Sequence, residues 1–281
     1  MCGILARNSR LTTEDSMTAT SAATAVVTGA TSGIGAAFAR RLAAQGYHLL
    51  VTGRRREQLE ALANALVAQY GINVDVIIAE LADDADRSQL AARVAGLSDV
   101  EILVNNAGFG LGAREFYAQA LSDHVAMLKV HALATLQLTY AALPAMLARQ
   151  RGSIINVASV AAFAPLPRHA MYSATKDFIL TFSEALAIEL RGTGVHIQAL
   201  CPGFTRTDFH ARQGIDTNRY YRSHGPLRAM TPDEVVSASL RCLKGGHVVC
   251  VPGLSNQLLT HLTRLLPRRL LYRLLAAVRE P

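Results

Sequence analysis

Hydrophobic and polar positions follow two patterns that alternate along most of the chain. Short runs rich in Val, Ile and Leu are followed by longer segments whose apolar residues recur at helical spacing. The short runs predict β-strands at residues 23–30, 47–53, 73–81, 100–108, 152–159, 195–203 and 246–253. The longer segments predict helices at residues 33–46, 56–71, 87–97, about 122–149 and about 172–190.

Strands that are apolar throughout and alternate with helices are typical of a parallel sheet covered on both faces. Right-handed crossovers then predict an α/β fold of the Rossmann type, a doubly wound, mostly parallel seven-stranded sheet in a single domain at residues 22–255. We expect residues 1–21 to be a disordered N-terminal extension. The irregular segment 203–230 is expected to be a substrate lid, since loops of this length in compact domains are usually functional or disordered.

Composition and charge exclude several classes of protein. Apolar residues make up 51% of the chain and charged residues 17%, which is enough for an aliphatic core. The net charge is +7, but much of the excess lies in residues 263–281 and no basic stretch is interleaved with aromatic residues. No nucleic-acid partner is therefore expected.

The cysteines and the N-terminus indicate a cytoplasmic protein. Cys2, Cys201, Cys242 and Cys250 form no CxxC or Cys/His ligand spacing, so they are interpreted as reduced thiols and no metal site is predicted. The first twenty residues lack the apolar segment of a secretory signal. No run of 18 apolar residues exists, so no membrane-spanning helix is expected.

A glycine-rich turn, "TGATSGIG" at residues 28–35, joins the first strand to the first helix. Such a turn lets backbone N–H groups approach a phosphate at the N-terminus of the helix. Its position in an α/β pattern favours a dinucleotide site over a glycine turn without a ligand. The expected contacts come from Gly29, Thr31, Ser32, Gly33, Ile34 and Gly35.

The end of the second strand indicates which nucleotide is bound. An acidic residue there would hold the ribose 2′-hydroxyl of NAD, but the strand ends "LLVTGRRRE". A guanidinium binds a 2′-phosphate well, so NADP(H) is the predicted cofactor and Arg54 is the first candidate for this contact. The alternative is that Arg54, Arg55 and Arg56 are surface residues at the start of a helix.

The segment "NNAG" at residues 105–108 ends the fourth strand, close to the expected switch in strand order. Its small residues leave room for an adenine ring, so Asn106, Ala107 and Gly108 are predicted to contact the cofactor. The asparagines can also tie neighbouring strands together, and both roles can hold at once.

Tyr172 and Lys176 stand four residues apart on one predicted helix and therefore share a face. A nearby ammonium favours phenolate, so we expect Lys176 to lower the pKa of Tyr172 and make it a general acid or base. Ser159, at the end of the fifth strand, is expected to bind the same substrate oxygen. The alternatives are a surface helix pair for Tyr172 and Lys176, and an ordinary helix cap for Ser159.

In that order and on those elements, these motifs resemble the short-chain dehydrogenase/reductase family, in particular its bacterial and 17β-hydroxysteroid-type oxidoreductases. The resemblance covers roughly residues 22–255, and "CPGFTRT" at 201–207 matches a further family segment. It implies hydride transfer between a nicotinamide and a carbonyl or carbinol carbon, with Lys176 also holding the nicotinamide ribose. It further implies that four residues border the nicotinamide, namely Pro202, Gly203, Thr205 and Thr207.

Two positions depart from the family pattern. Glu80 and then Leu81 stand where an Asp is common beside the adenine, and both are still expected to contact the cofactor. His131 stands where the family usually has an Asn implicated in a proton path behind the active-site Lys. His131 can keep that path, weaken turnover, or mark a protein that binds NADP(H) without reducing a substrate.

Residues 256–281 combine leucines at helical spacing with several arginines, and Pro267 interrupts them. They predict one or two basic amphipathic helices, which can lie on an anionic membrane surface or pack against the body or a second subunit.

The sequence thus predicts an NADP(H)-dependent oxidoreductase for a hydrophobic ketone or alcohol, because the lid supplies Phe204, Phe209, Tyr220, Tyr221 and Leu227. The resemblance implies a homodimer or homotetramer formed through the two long helices. The alternative is a non-catalytic NADP(H)-binding regulatory or interaction protein of the same fold.

Overall fold

The computed structural model describes residues 23–211 and 228–277. Its strands are β1 (Thr24–Thr28), β2 (His48–Gly53), β3 (Val74–Ile78), β4 (Val100–Asn105), β5 (Gly152–Val157), β6 (Val195–Leu200) and β7 (Val249–Cys250). Its helices are α1 (Gly33–Ala43), α2 (Arg56–Tyr70), α3 (Asp84–Ala95), α4 (Leu121–Leu128), α5 (Ala134–Ala148), α6 (Ala170–Glu189), α7 (Asp208–Ala211), α8 (Pro232–Lys244), α9 (Leu254–Leu265) and α10 (Arg268–Ala277).

The strands form one seven-stranded sheet in the order β3-β2-β1-β4-β5-β6-β7, and every pairing in it is parallel. The predicted fold class is confirmed. Strand order reverses between β1 and β4, and the chain leaves these two strands toward helices on opposite faces of the sheet. A doubly wound sheet binds its ligands in the crevice at this point.

Apolar side chains of the sheet point alternately to two hydrophobic layers. On one face, Val27 and Val51 pack with helices α1, α2 and α8. On the other face, Val26 and Leu103 pack with α3, α5 and the end of α6. The continuous apolar strands seen in the sequence are therefore explained by burial on both faces.

The edge strand β7 is much shorter than the sequence predicts. The apolar run at 246–253 pairs with β6 only through Ala199↔Val249 and Leu200↔Cys250. Pro252 follows two residues after Cys250 and has no backbone N–H to extend the ladder, which limits the strand at that end.

The helix predicted at about 122–149 runs from Leu121 to Ala148 but contains a π-helical segment, Lys129–Leu133. The backbone N–H of Ala134 bonds to the carbonyl of Lys129, five residues earlier, so one extra residue is accommodated. By length and composition alone this helix could cross a membrane. It packs against the sheet, however, with Leu138, Ala142 and Met146 buried, as a core helix does.

The C-terminal segment forms two helices, α9 and α10, separated by Pro267, as the sequence predicts. They fold back on the body, and Thr260 and Leu271 are buried there. Arg264 bonds to Glu184 of α6 and its guanidinium lies 4.7 Å from the centroid of the Phe163 ring.

Candidate active site

A network of hydrogen bonds holds the crevice between β1 and β4. The buried Thr28 hydroxyl accepts from the backbone N–H groups of Asn106 and Ala107, at 2.9 and 3.0 Å. The Asn106 amide donates back to the carbonyls of Thr28 and Gly29. On the next pair of strands, the Asn105 amide donates to Asn156 at 2.9 Å. The asparagines therefore tie neighbouring strands together, as expected.

A cavity of about 860 Å³ extends along the carboxyl edge of the sheet. It collects most of the residues predicted from sequence, namely Gly29, Thr31, Ser32, Gly33, Ile34, Arg54, Glu80, Leu81, Asn106, Ala107, Gly108, Ser159, Tyr172, Lys176, Pro202, Gly203, Thr205 and Thr207. Gly35 and His131 do not line it. A Cβ on Gly35 would lie 2.3 Å from the carbonyl oxygen of Gly29, so this glycine permits close packing behind the turn.

The glycine turn is shaped to receive a phosphate. Gly29 and Gly33 have φ angles of 65° and 57°, which side chains rarely allow. A Cβ on Gly33 would lie 2.9 Å from the Thr207 side chain, so the absence of a side chain keeps the approach open. The turn leads directly into α1, whose first N–H groups are suited to bind a pyrophosphate.

Arg55, which the sequence analysis did not single out, reaches the glycine turn. Its Nη2 donates to the hydroxyls of Thr31 and Ser32, at 2.8 and 2.9 Å. The predicted residue, Arg54, also lines the cavity but pairs with Glu80 at 2.9 Å and is largely exposed. Two hydroxyls and a guanidinium together have the chemistry to bind a 2′-phosphate, which makes Arg55 a better-placed candidate than Arg54.

The Glu80 carboxylate also accepts from the backbone N–H of Ala82 at 3.1 Å. Both carboxylate oxygens of Glu80 therefore have partners within the protein, one in Arg54 and the other in the loop after β3. Leu81 is buried beside it and lines the cavity.

Ser159, Tyr172 and Lys176 meet at the other end of the cavity. Ser159 caps the short helix Val160–Phe163 by accepting from the N–H of Ala161, and it also bonds to the Tyr172 side chain. Lys176 is buried, its Nζ donates to the Val157 carbonyl at 2.8 Å, and it lies 5.8 Å from the centroid of the Tyr172 ring. Ser159 is thus both a helix cap and a partner of Tyr172.

The prediction that Lys176 lowers the pKa of Tyr172 is wrong for this structure. Burial raises the pKa of Tyr172 to about 12, and the hydrogen bond with Ser159 acts in the opposite direction. Burial also lowers the pKa of Lys176 to about 8. Both groups are shifted toward their neutral forms, so the Tyr172 phenol holds its proton and can donate it.

His131 is fully buried within the π-helical segment, and its ring centroid lies 5.8 Å from that of Tyr172. Its Nε2 accepts from the N–H of Phe109 at 3.0 Å, so Nδ1 carries the proton and bonds to Thr175 Oγ1 at 2.9 Å. Thr175 in turn donates to the backbone carbonyl of Tyr172. These direct bonds position the Tyr172 backbone rather than lead to its hydroxyl, which favours a structural replacement of the family Asn.

The pKa of His131 lies well below its ordinary value, because burial and then the charge of Lys176 disfavour the imidazolium. The ring is therefore neutral at physiological pH. A neutral ring with one donor and one acceptor can satisfy Phe109 and Thr175 together.

The helices α9 and α10 complete the cavity, which the sequence analysis left open. Leu259, Thr260 and Thr263 of α9 and Leu275 of α10 line it. Leucines facing a site cannot be distinguished in sequence from leucines facing the core. Of the predicted lid residues, Phe204 and Phe209 line the cavity, whereas Tyr220, Tyr221 and Leu227 lie outside the described residues.

Comparisons with known proteins agree with this geometry. The family model described as short chain dehydrogenase matches residues 23–218. Serine 3-dehydrogenase from Agrobacterium fabrum is 40% identical over 216 residues, which cover 76% of this chain and 85% of that protein.

Two solved structures show the same likeness. A short-chain dehydrogenase from Sphingobium yanoikuyae in complex with NADPH is 33% identical with a TM-score of 0.76, over 83% of this chain and 88% of that one. A bulky-bulky ketone specific alcohol dehydrogenase from Comamonas testosteroni is 30% identical with a TM-score of 0.73, over 88% of this chain and 95% of that one.

Arg55→Ala is expected to raise the KM for NADPH about 10-fold or more, with little change for NADH, because a charge-assisted bond to the 2′-phosphate is lost. Steady-state kinetics with both cofactors measures this. Arg54→Ala should have a smaller effect, and Arg56→Ala, which removes an exposed partner of Glu60, is the control. Equal losses for NADPH and NADH would contradict the assignment of Arg55.

Replacing His131 with Asn should change how stability depends on pH. Since the folded-state pKa of His131 is lowered, its neutral form stabilises the fold above pH ~6.5 and this contribution is lost as pH falls, by about 1.4 kcal/mol per unit. The stability difference between wild type and His131→Asn should therefore shrink from pH 7 to pH 5 in urea unfolding. Thr175→Val removes the hydrogen-bond partner of His131 but keeps the imidazole. The difference in unfolding free energy between this variant and wild type should therefore stay nearly constant with pH. A difference for His131→Asn that is flat with pH would contradict a neutral buried His131.

Proposed function

Because the chain belongs to the short-chain dehydrogenase family, we propose that it is an NADP(H)-dependent oxidoreductase that interconverts a hydrophobic ketone and its alcohol. The single observation that carries this proposal is the arrangement of one continuous cavity. One end offers Arg55 and the glycine turn to a nucleotide, and the other end brings Ser159, Tyr172 and Lys176 together. A nucleotide-binding fold without activity has no need of the second cluster.

The proposed chemistry assigns each side chain a role. The glycine turn and Arg55 would hold NADP(H), which would supply the hydride that the carbonyl carbon of the substrate takes up. The Tyr172 hydroxyl donates its proton to the carbonyl oxygen, and Ser159 donates a hydrogen bond to the same oxygen. Lys176, held by the Val157 carbonyl, keeps positive charge near the phenol as it loses its proton.

The substrate end of the cavity supports a hydrophobic substrate. Phe109, Phe204, Phe209, Leu166 and Leu259 line it. These side chains offer a large apolar surface, with Ser159 and Tyr172 as the polar groups that orient a carbonyl. The Comamonas testosteroni neighbour, whose description names bulky ketones, supports the same class of substrate.

The alternative function, a non-catalytic NADP(H)-binding regulatory protein, rests on His131. The hydrogen bonds of His131 to Phe109 and Thr175 weaken this alternative, because they hold the helix that carries Tyr172 in place. We also propose that the protein is cytoplasmic and forms a homo-oligomer. Exposed apolar residues on α4 and α5, among them Leu121 and Tyr140, supply a surface for that assembly.

Tyr172→Phe is expected to lower kcat about 100-fold or more while leaving NADPH affinity nearly unchanged, because only the proton donor is removed. A panel of aliphatic, steroid and 3-oxoacyl ketones, followed by NADPH absorbance, supplies the substrate, and NADPH fluorescence measures binding. Tyr117→Phe, which changes an exposed tyrosine outside the cavity, is the matched control. Tight NADPH binding without turnover of any ketone would favour the regulatory alternative.

We further propose that the outer face of α9 binds an anionic membrane surface. Its polar residues Asn256 and Thr260 face the body, whereas Leu254, Leu258 and Leu265 are 83%, 72% and 82% exposed. This is the reverse of an ordinary surface helix. Residues 254–277 contain no acidic residue, and Arg268, Arg269 and Arg273 of the following helix α10 are exposed, which suits anionic lipid.

Flotation with liposomes tests this surface. Wild type should float with anionic liposomes and less with neutral ones, and Leu258→Ser combined with Leu262→Ser and Leu265→Ser should remain at the bottom of the gradient. The same three positions changed to Met keep the apolar face and should behave like wild type. If wild type does not float, and the serine variant instead changes the oligomeric state, the face contacts a second subunit.

A further inference from the structure

Two cysteines that the proposed reaction does not use lie in direct contact. Cys242 stands in the last turn of α8 and Cys250 ends β7. Their sulfur atoms are 2.6 Å apart, about half an ångström more than the roughly 2.05 Å of a disulfide bond. Bond formation therefore requires almost no movement of the backbone.

The chain between the two cysteines is folded to keep them together. The backbone N–H of Gly246 bonds to the Leu243 carbonyl, and that of His247 bonds to the Cys242 carbonyl, both at 3.0 Å. Gly246 adopts a φ of 71°, which closes this tight turn. The turn presents Cys242 to Cys250 at a fixed distance, unlike two thiols on independent loops.

From this geometry we infer that Cys242 and Cys250 are a site of reversible oxidation, forming an intramolecular disulfide when the protein meets a peroxide. The thiols are reduced otherwise, as expected for a cytoplasmic protein. Cys242 is half-buried and Cys250 is buried, so a peroxide reaches the sulfur of Cys242 first. Burial also raises the pKa of Cys250, which makes it the slower nucleophile.

The proposed oxidation is balanced with hydrogen peroxide as the oxidant. The Cys242 thiolate attacks one peroxide oxygen, which gives a sulfenic acid and a hydroxide that takes up a proton. The Cys250 sulfur then attacks the Cys242 sulfur and displaces hydroxide, which takes the Cys250 thiol proton and leaves as water. Two thiols lose two electrons in total, and one peroxide becomes two waters.

The disulfide would join α8 to the strand that leads into α9. The Cys250 carbonyl accepts from the N–H of Cys201 at 2.7 Å, and Pro202 and Gly203 follow directly in the cavity wall. Oxidation therefore fastens the elements around one end of the proposed site without altering any residue assigned to catalysis. The site is independent of the proposed oxidoreductase activity.

Peptide mapping of the full chain tests this inference. In a Cys2→Ser background, folded protein is treated with hydrogen peroxide, unfolded with an alkylating agent and digested with trypsin without reductant. Cleavage after Arg241, Lys244 and Arg264 places the two cysteines on separate peptides, 242–244 and 245–264. We expect these peptides to be linked, lighter than their sum by two hydrogen atoms, and separated by dithiothreitol.

The treated protein should also gain about 5 °C in Tm, because the crosslink restricts the unfolded chain. Cys242→Ser should lose both the linked peptide and this gain, and Cys201→Ser should keep both. Cys201 is buried and serves as the internal control, alkylated only after unfolding. Alkylation of both Cys242 and Cys250 after peroxide treatment, or a link from either of them to Cys201, would overturn the inference.

Discussion

The hydrogen bonds between Thr28 and Asn106 are the constraint on which the rest of the site depends. Parallel strands leave their last backbone groups without sheet partners where the strand order reverses. Here the buried Thr28 hydroxyl accepts hydrogen bonds from the N–H groups of Asn106 and Ala107. The Asn106 side-chain amide donates to the backbone carbonyls of Thr28 and Gly29. Each buried group left unpaired would cost about 1–3 kcal/mol. The network therefore fixes the spacing between the glycine turn and the segment facing it.

The charged groups at the two ends of the cavity differ in how deeply they are buried. At the nucleotide end, Arg55 stays charged and partly open to solvent, which suits a doubly charged phosphate. At the other end, burial raises the pKa of Tyr172 and lowers that of Lys176, so Tyr172 holds its proton, and the His131 ring behind them is neutral. A dry end of this kind strengthens every hydrogen bond made to a substrate oxygen. The same cavity therefore joins a charged end at Arg55 to a largely dry end at Tyr172 and Lys176.

Much of this could be predicted from the sequence, because the signals are local. The alternation of strands and helices, the glycine turn and the Tyr172–Lys176 spacing each depend on short-range geometry. Arg55 could not be separated from Arg54, because neighbouring arginines look alike until the backbone at the start of α2 directs one of them toward Thr31. The pKa of Tyr172 depends on burial by residues that are distant in sequence, and this burial could not be predicted from the presence of Lys176 four residues later. The inward face of α9 was equally hard to predict, because the polar residues Asn256, Thr260 and Thr263 lie on it while most of its leucines are exposed.

The π-helical segment keeps the exposed apolar residues of one long helix on a single face. Exposed apolar residues recur at Leu121, Val125 and Leu128 before the segment and at Leu136, Tyr140 and Leu147 after it. With 3.6 residues per turn, these two sets form a single stripe only if one residue is skipped between them. The extra residue lies where His131 is turned inward toward Phe109 and Thr175. Removing one residue from Lys129–Leu133 would therefore restore a regular helix with the two halves of the stripe still in phase, whereas the full sequence wound as a regular α-helix would turn them apart by about 100°.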